Sequence, residues 1–454
     1  MSRPLDLAKR ACGAASGDAV QAVVQAERSG FARFAGSEVH QPTLIENESV
    51  FLKVFRDDKV GIAATNRIDD EGLRELARRA EAAADASPRD PGSPLPVEPA
   101  ELPDVKGHDP ATAALGADEQ ARLAAAAIDA AGDFPIYGFF TSGAATVAVV
   151  ASTGLAVEET TTDATALAVA ATPELSGYAD ATSWRIADVD PAAVAREAVE
   201  KAERTGGSRE LEAGRYRAVL EPYAIGEMLQ YFAADTFSGL GFIEERSFLS
   251  GRLGEQALDG RISLADDALD PSGVPRRFDY DGVPKQRVEL VEAGVLRGSV
   301  WDVASAARAG GSQASTGHAP PPSMMRWGPQ PTALSLAGGD AGSLDELVAA
   351  VDDGIYVTRV HYLGVVEPRH GILTGMTRDG TFRIRDGKLA EPLANLRFTV
   401  SMPDVLGEVV ALSSERKLTN QATFYDERFA FGALVPALAT ARFDVTGVGG
   451  RPGI

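Results

Sequence analysis

The stretch LEPYAIGEMLQYFAADTFSGLGFIEERSFLSGRLGEQ, residues 220–256, passes from a helical pattern to a glycine-punctuated one. In its first part, apolar side chains recur near one face of a helix: Ile225, Leu229, Phe232 and Phe237. The strand-like run RYRAVLEP precedes this helix, and short β runs broken by glycines follow it. The order of strand, helix and further strands predicts an α+β fold.

The rest of residues 213–454 is predicted to be a β-rich domain. The run RVELVEAGVLRGSVWD, residues 287–302, is typical of a hairpin whose turn contains Gly294. Ser343, with Glu346 three residues later, forms a capping box that predicts the start of a helix. The tail is again β-rich, in LRFTVSM, GEVVALSS and ATFYDERFAFGALVPAL.

The first 212 residues are predicted to form three segments. Residues 1–87 form a strand–helix subdomain, whose helix is capped by Asp69 or Asp70. Residues 88–110 are an extended connector, because proline removes backbone donors at positions 88, 91, 94, 96, 99, 103 and 110. Residues 111–212 hold a helix, an antiparallel β meander and a helix capped by Asp190. Large antiparallel sheets with packed helices are therefore expected throughout.

Composition excludes several classes of protein. The 454 residues include 44 Lys+Arg against 65 Asp+Glu, a formal net charge of −21. This excess of acid argues against a nucleic-acid partner and against binding to anionic membranes. Cys12 is the single cysteine, near an N-terminus expected to be flexible, so an intramolecular disulfide and cysteine-rich zinc sites are excluded. The N-terminus has no apolar core of signal-peptide length, no 18-residue apolar run occurs in the sequence, and we expect a cytoplasmic protein.

The common catalytic motifs are missing from the sequence. There is no G-x-S-x-G elbow, phosphate-binding loop or H-E-x-x-H helix. His361 and His370 flank HYLGVVEPRH and would come together in a tight hairpin. A catalytic zinc generally takes three protein ligands, so His318 or a carboxylate would have to supply the third. Histidines in such a turn are more often hydrogen-bonded loop residues than ligands.

The glycine-rich segment GGSQASTGHAPPP, residues 310–322, has two interpretations. Its glycines permit positive φ and close backbone approach, so the segment could cradle an extended peptide. Glycines at loop corners are nevertheless commoner than glycines in binding sites. From the residues alone, a simple loop is favoured.

The second half resembles the TldD/TldE (PmbA) family, associated with peptidase family U62 and with the label "modulator of DNA gyrase". The resemblance rests on the 220–256 stretch, with FLSGRLGEQ at Phe248–Gln256, and on the DGVP and VEAGVLRG segments that follow. STGHAPPPSMM and ELVAAVDDGIYVT are similar to further family segments in the same order. The first half is similar in layout only. Each motif is weak alone, but their order and spacing are specific.

In this family, the TldD-type subunit carries H-E-x-x-x-H on the helix and a downstream cysteine as its metal motif. The resemblance places Gln230, Tyr231 and Asp235 at the His, Glu and second His positions, and residues 412–418 contain no cysteine. Gln is a weak ligand, and Tyr cannot replace a carboxylate base near neutral pH. The resemblance therefore implies a TldE-type subunit with no cofactor and no catalytic residue of its own, paired with a TldD-type partner that carries zinc.

The resemblance also implies a peptide ligand. The two kinds of subunit enclose a chamber in which an unfolded or small peptide is bound as an added strand and cleaved by the partner's metal. Candidate chamber residues in loops are Gly317, His318, His361 and His370.

Two alternatives stay open. The chain could be a non-proteolytic, peptide-binding or regulatory homodimer. It could also be an independent hydrolase with a reassigned site, for example His361, His370 and Glu367.

Overall fold

Six long strands form one antiparallel sheet, here called the first sheet. The computed structural model describes residues 2–90, 92–420 and 427–450. The strands are β1 (Ala19–Ala35), β2 (Glu38–Arg56), β3 (Lys59–Thr65), β4 (Ile136–Ala151), β5 (Ala156–Ala171) and β6 (Ser176–Ser183). Their order is β3-β2-β1-β4-β5-β6, so β1 pairs with β4 across the proline-rich connector. The predicted meander is confirmed in β4–β6.

Helices cover this sheet. They are α1 (Arg3–Ala14), α2 (Asp70–Ala86), α3 (Pro110–Ala113), α4 (Ala117–Ala131) and α5 (Pro191–Glu203). Asp69 and Asp190 cap α2 and α5 as predicted, each accepting backbone N–H groups. α5 packs tightly on β6 at Gly177. Only a residue without a side chain fits there, because a Cβ atom would lie 2.1 Å from the carbonyl oxygen of Ala198. The N-terminus, expected to be flexible, forms α1 instead, and Ser2 caps it.

A second, mixed sheet fills the other half of the chain. Its strands are β7 (Gly214–Leu220), β8 (Leu264–Asp266), β9 (Val288–Glu292), β10 (Val295–Leu296), β11 (Ala333–Leu336), β12 (Gly354–Glu367), β13 (Ile372–Arg385), β14 (Lys388–Pro392), β15 (Leu396–Ser401), β16 (Val409–Asn420) and β17 (Gly432–Val448). The pairings β7–β12–β13–β15–β17–β7 close on themselves. The β9–β10 hairpin has Gly294 in its turn, as predicted.

Among the described residues, five α-helices belong to this half: α6 (Pro222–Thr236), α7 (Gly239–Ile243), α8 (Val303–Ala309), α9 (Leu344–Val351) and α10 (Met402–Gly407). The predicted apolar face of α6 is confirmed, since Ile225, Leu229, Phe232 and Phe237 are buried in the core of the second sheet. Ser343 caps α9 as predicted, because its Oγ accepts from the backbone N–H of Glu346, but the Glu346 carboxylate accepts from the N–H of Gly342 and so does not complete the box with Ser343. No helix in the part of the chain that the structure describes is long and apolar enough to cross a membrane.

The predicted α+β class is confirmed. Between residues 88 and 109, the described residues form neither helix nor strand, in agreement with an extended connector. The predicted strand run at residues 422–438 falls partly on residues 421–426, which lie outside the described residues. Its described remainder contains the start of β17. The division into folding units at the connector stays a prediction.

Candidate functional site

Helix α6 carries polar groups along its whole length. It begins at Pro222, where the missing proline N–H would have had no helical partner. Most of its side chains are buried, so each polar group inside it needs a partner. Besides Thr236 at the end of the helix, these polar residues are Tyr223, Glu227, Gln230, Tyr231 and Asp235. They and their partners define the candidate site.

Gln230, Tyr231 and Asp235, here called the motif positions, are tied into the second half of the chain. Gln230 is 7% exposed, and its Nε2 donates to the carbonyl oxygen of Pro331 at 2.9 Å. Asp235 Oδ1 accepts from Arg246 Nη1 at 3.2 Å. Tyr231 is 38% exposed, and burial together with the charge of Glu227 raises the pKa of its hydroxyl. Two of these three side chains therefore make local structural contacts.

The motif positions do not fit a divalent metal. The Asp235 carboxylate is already neutralised by the Arg246 guanidinium, which would also repel a cation. Gln230 Oε1 is buried and has no hydrogen-bond partner among the described residues, but it is a neutral oxygen. No group of three or more His, Cys, Asp or Glu residues suited to a metal occurs in residues 2–90, 92–420 and 427–450. A zinc site needs three protein ligands, and these residues do not supply them.

Glu227 lies one helical turn before Tyr231 and has an unusual electrostatic environment. Burial raises the pKa of Glu227 to about 7, opposed by the charge of Arg359 and assisted by that of Asp180. Arg359, on β12, donates to Asp379 at 3.1 Å and stacks over the Tyr178 ring at 4.0 Å. Asp180 Oδ2 accepts from the Tyr178 hydroxyl at 2.6 Å. A carboxyl group that titrates near neutrality therefore stands where the first sheet meets α6 and β12.

A second set of charges, here called the bridging network, also joins the two sheets. It consists of Glu197, Lys201, Glu221, Tyr223 and Lys417. Lys201 Nζ lies 2.8 Å from Glu197 and 2.7 Å from Glu221. The Tyr223 hydroxyl donates to Glu197 at 3.1 Å and accepts from Lys417 Nζ at 2.6 Å. Although burial alone would lower it, Glu221 and Glu197 raise the pKa of Lys201, so this ammonium group stays charged and paired within the network.

His318 is a buried structural histidine. Its Nε2 lies 2.8 Å from Asp266 Oδ1, and its Nδ1 lies 2.9 Å from Thr316 Oγ1. Burial and the nearby Lys285 lower the pKa of His318, which keeps the ring neutral. Gly317 precedes it with φ +77°, and a Cβ atom there would lie 2.5 Å from the carbonyl oxygen of Pro284. This part of the glycine-rich segment is packed against its neighbours.

His361 and His370 lie apart on the antiparallel pair β12–β13, here called the β12–β13 arm. His361 is in β12, where its ring contacts that of Tyr362 at a tilt of 49°, with centroids 4.1 Å apart. His370 follows the strand in a short 3-10 helix and bonds to Glu367 at 2.8 Å. His361 pairs with Met376 and Glu367 pairs with Ile372, four residues apart along β13, about 13 Å at 3.3 Å per residue. The structure therefore brings His370 to Glu367 but does not bring the two histidines together.

The sequence analysis missed Glu227 and its surroundings. Glu227 is the one acid between Ile225 and Leu229, which are both fully buried. A charged residue within an apolar helix indicates a buried partner, because unpaired buried charge is costly. That indication was present, but the partners come from β6 and β12, far away in the chain.

Comparison with protein-family models identifies two matches. Residues 213–447 match the PmbA/TldA metallopeptidase C-terminal domain, and residues 20–84 match the PmbA/TldA metallopeptidase domain 1. The first match alone spans more than half of the chain.

Individual proteins are also similar to this chain. A metalloprotease of Methanothermobacter thermautotrophicus is 25% identical over 224 residues, which are 48% of this chain and 47% of that protein. A metalloprotease TldD homolog of Haemophilus influenzae is 26% identical over 183 residues, 38% of this chain and 36% of that protein. The chain thus spans under half the length of these curated relatives.

A solved structure shares the fold over almost the full length. The crystal structure of TldE from Thermococcus kodakarensis has a TM-score of 0.84 and 18% identity, covering 97% of this chain and 99% of that chain. At this identity the likeness concerns the fold alone.

Proposed function

The chain belongs to the PmbA/TldA (TldD/TldE) metallopeptidase family, and from this premise we propose that it is the non-metal, TldE-type subunit of a heterodimer. A TldD-type partner carries the zinc and cleaves the peptide bond. This chain completes the chamber and binds unfolded or small peptides. Its single cysteine suits a reducing compartment, and we propose the cytoplasm.

The observation that carries this proposal is the state of the motif positions. The resemblance implies that residues 230, 231 and 235 correspond to the two metal ligands and the base of the TldD-type subunit. Here Gln230 bonds to Pro331 and Asp235 to Arg246, so both side chains have structural partners instead. Catalysis within such a pair would therefore depend on the other subunit.

The outer edge of β12 supports peptide binding. β7 pairs with this edge only at residues 355–357, and no described strand pairs with it from Thr358 to Glu367. An extended peptide binds such an edge through main-chain hydrogen bonds with little sequence selectivity. Tyr362 and Val366 on this segment are 76% and 58% exposed, so they would contact a bound peptide or the partner.

Among the candidate chamber residues, those on the β12–β13 arm fit the proposal better. His361 is half-buried beside this free edge, and His370 is exposed at its end. Gly317 and His318 are buried, and the His318 ring is held by Asp266. We therefore propose peptide contacts for His361 and His370, and a packing role for Gly317 and His318 within their own loop.

Co-expression with a TldD-type partner tests the proposal. We expect a stable complex that hydrolyses unfolded peptides and is inhibited by a chelator, whereas the isolated chain is inactive. Chelator-sensitive hydrolysis by the isolated chain would overturn the proposal. A homodimer that persists when the partner is supplied would do so as well, in favour of the non-proteolytic alternative.

A matched pair of variants tests the β12 edge. Val366→Lys places a charge on this edge, and we expect it to lower peptide hydrolysis by the complex severalfold. Leu44→Lys is the control, because Leu44 is comparably exposed, at 50%, but lies on β2 of the first sheet. Equal activity of the two variants would remove β12 from the peptide-binding surface.

A further inference from the structure

A cavity of about 300 Å³ lies between the first sheet, the connector and the loops of the second half. Phe55, Val60 and Ile62 of β2 and β3 form one apolar wall. The connector residues Pro94–Val97 form a second wall, and α8 contributes Val303 and Ala304. Its size is at the lower end of the range typical of small-molecule sites, which are likewise mainly apolar with a few polar groups.

The floor of this connector cavity is polar but internally satisfied. Lys53 Nζ lies 2.8 Å from Asp281 Oδ1, and each side chain is only 15% exposed. Gln21 Nε2 donates to the carbonyl oxygen of Asp281 at 3.2 Å. Because these charges neutralise each other, the floor favours an uncharged, apolar part of a ligand over an ion.

The mouth carries charges of both signs that lack ionic partners. Arg308, in the last turn of α8, lines the cavity, is exposed, and makes no hydrogen bond or ion pair with any described residue. Asp90, on the connector, also lines it and has no cationic partner among the described residues; its carboxylate accepts only the nearby N–H of Gly92. A free guanidinium and a free carboxylate at one opening suit the two ends of a zwitterion.

We propose that the connector cavity binds a small zwitterion with an apolar side chain, a hydrophobic amino acid or dipeptide. The apolar side chain occupies the space between Ile62, Leu95 and Val303. The ligand carboxylate pairs with Arg308 and the ammonium group with Asp90. This site is separate from the β12 edge and from the motif positions, so it does not depend on the proposed function.

Calorimetric titration of the full chain with Leu-Leu tests the ligand class. N-acetyl-Leu-Leu lacks the ammonium group, and Leu-Leu amide lacks the carboxylate. The amide loses the charge-assisted hydrogen bond to Arg308, so we expect it to bind about tenfold more weakly than Leu-Leu. The acetylated peptide loses the contact with Asp90, so we expect it to bind more weakly as well. No saturable binding of Leu-Leu, or equal binding of the free acid and the amide, would overturn the proposal.

Arg308→Gln tests the carboxylate contact. We expect this variant to bind Leu-Leu about tenfold more weakly and to lose the discrimination between Leu-Leu and its amide. Since Arg308 is exposed and unpaired, the change should leave the melting temperature of the free protein unaltered. A variant that still discriminates against the amide would exclude Arg308 as the carboxylate-binding residue.

Two tryptophan variants on one helix locate the site. Ala304 and Ala307 are both exposed on α8, but only Ala304 lines the cavity. We expect Ala304→Trp to block the mouth and abolish Leu-Leu binding, whereas Ala307→Trp binds like the unmodified protein. Equal binding by both variants would place the ligand elsewhere. Melting curves of the two variants confirm that each is folded.

Discussion

The two halves of helix α6 use their polar side chains in different ways. In the first half, Tyr223 forms hydrogen bonds with Glu197 of α5 and Lys417 of β16. The charge of Asp180, on the first sheet, contributes to the raised pKa of Glu227. In the second half, Gln230 and Asp235 bond only to Pro331 and Arg246, within the same half of the chain. The first half of α6 therefore couples the two sheets, and the motif positions make local contacts. Replacing a polar residue that joins the two sheets should lower the free energy of unfolding strongly. Replacing one that makes a single contact within the second half of the chain should lower it little.

Lys201→Met should give the largest effect, because it removes the lysine of the bridging network that pairs with both Glu197 and Glu221. Glu221 is 3% exposed and would be left buried without a positive partner, with only Tyr356 donating to it at 2.8 Å. Removing one partner of a buried pair costs about 3–5 kcal/mol. Urea denaturation measures the free energy of unfolding.

A double variant is the control for this prediction. Lys201→Met combined with Glu221→Gln removes the uncompensated charge and should recover more than half of the loss. A cost below about 1 kcal/mol for Lys201→Met would show that the network does not couple the sheets.

Glu227 should give the next largest effect, and the effect depends on pH. Its pKa rises from 4.5 to about 7 on folding, so between these values the folded protein binds more protons than the unfolded chain. Stability contributed by this group is therefore present at pH 4.5 and is lost as the pH rises through 7. Glu227→Gln should stabilise the protein at pH 8 by about 1–3 kcal/mol and have little effect at pH 5.

Comparison of the variant with the unmodified protein isolates Glu227 from other groups that titrate in this range. Asp279, whose pKa is also raised by burial to about 7, is present in both proteins. The charged groups facing Glu227 are Arg359 and Asp180, which are likewise unchanged. A difference in stability that is constant from pH 5 to pH 8 would contradict the elevated pKa.

Local patterns in the sequence predicted much of the fold. The apolar spacing of α6, the caps Asp190 and Ser343, and the turn at Gly294 each depend on residues within a few positions of one another. α1 had comparable indications, a capping Ser2 followed by Pro4, but the short segment was interpreted as flexible. Elements that depend on local sequence patterns were therefore predictable.

Long-range pairing was not predictable in the same way. Arg28 pairs with Ala144 across the connector, and no local pattern specifies a strand partner more than a hundred residues away. The charged neighbours of Glu227 come from β6 and β12, two segments distant in the chain, so its elevated pKa required the assembled structure. The resemblance located the motif positions, but only the structure shows that Gln230 and Asp235 have partners of their own.

Gln230→Leu should have a small effect. The substitution removes the hydrogen bond to Pro331 but also removes Oε1, a buried oxygen with no partner among the described residues. These contributions oppose each other, so the free energy of unfolding should change by no more than about 1 kcal/mol. If the chain is the non-metal subunit, hydrolysis by the complex should also be unchanged. Loss of activity with the stability intact would instead give Gln230 a role in the reaction.

Asp235→Asn should have the smallest effect. Its ion pair with Arg246 is partly exposed, with side chains 30% and 40% accessible, and such pairs contribute about 0.2–1 kcal/mol. The difference from the unmodified protein should disappear in 1 M salt, where the screening length is about 3 Å. Lys201→Met, in a buried network, should keep most of its cost in the same salt. If Asp235→Asn were as costly as Lys201→Met, the second half of α6 would also be a structural link, and the distinction between its two halves would fail. A small, salt-sensitive cost means that the helix is held by Ile225, Leu229 and Phe232, whatever polar residue occupies position 235.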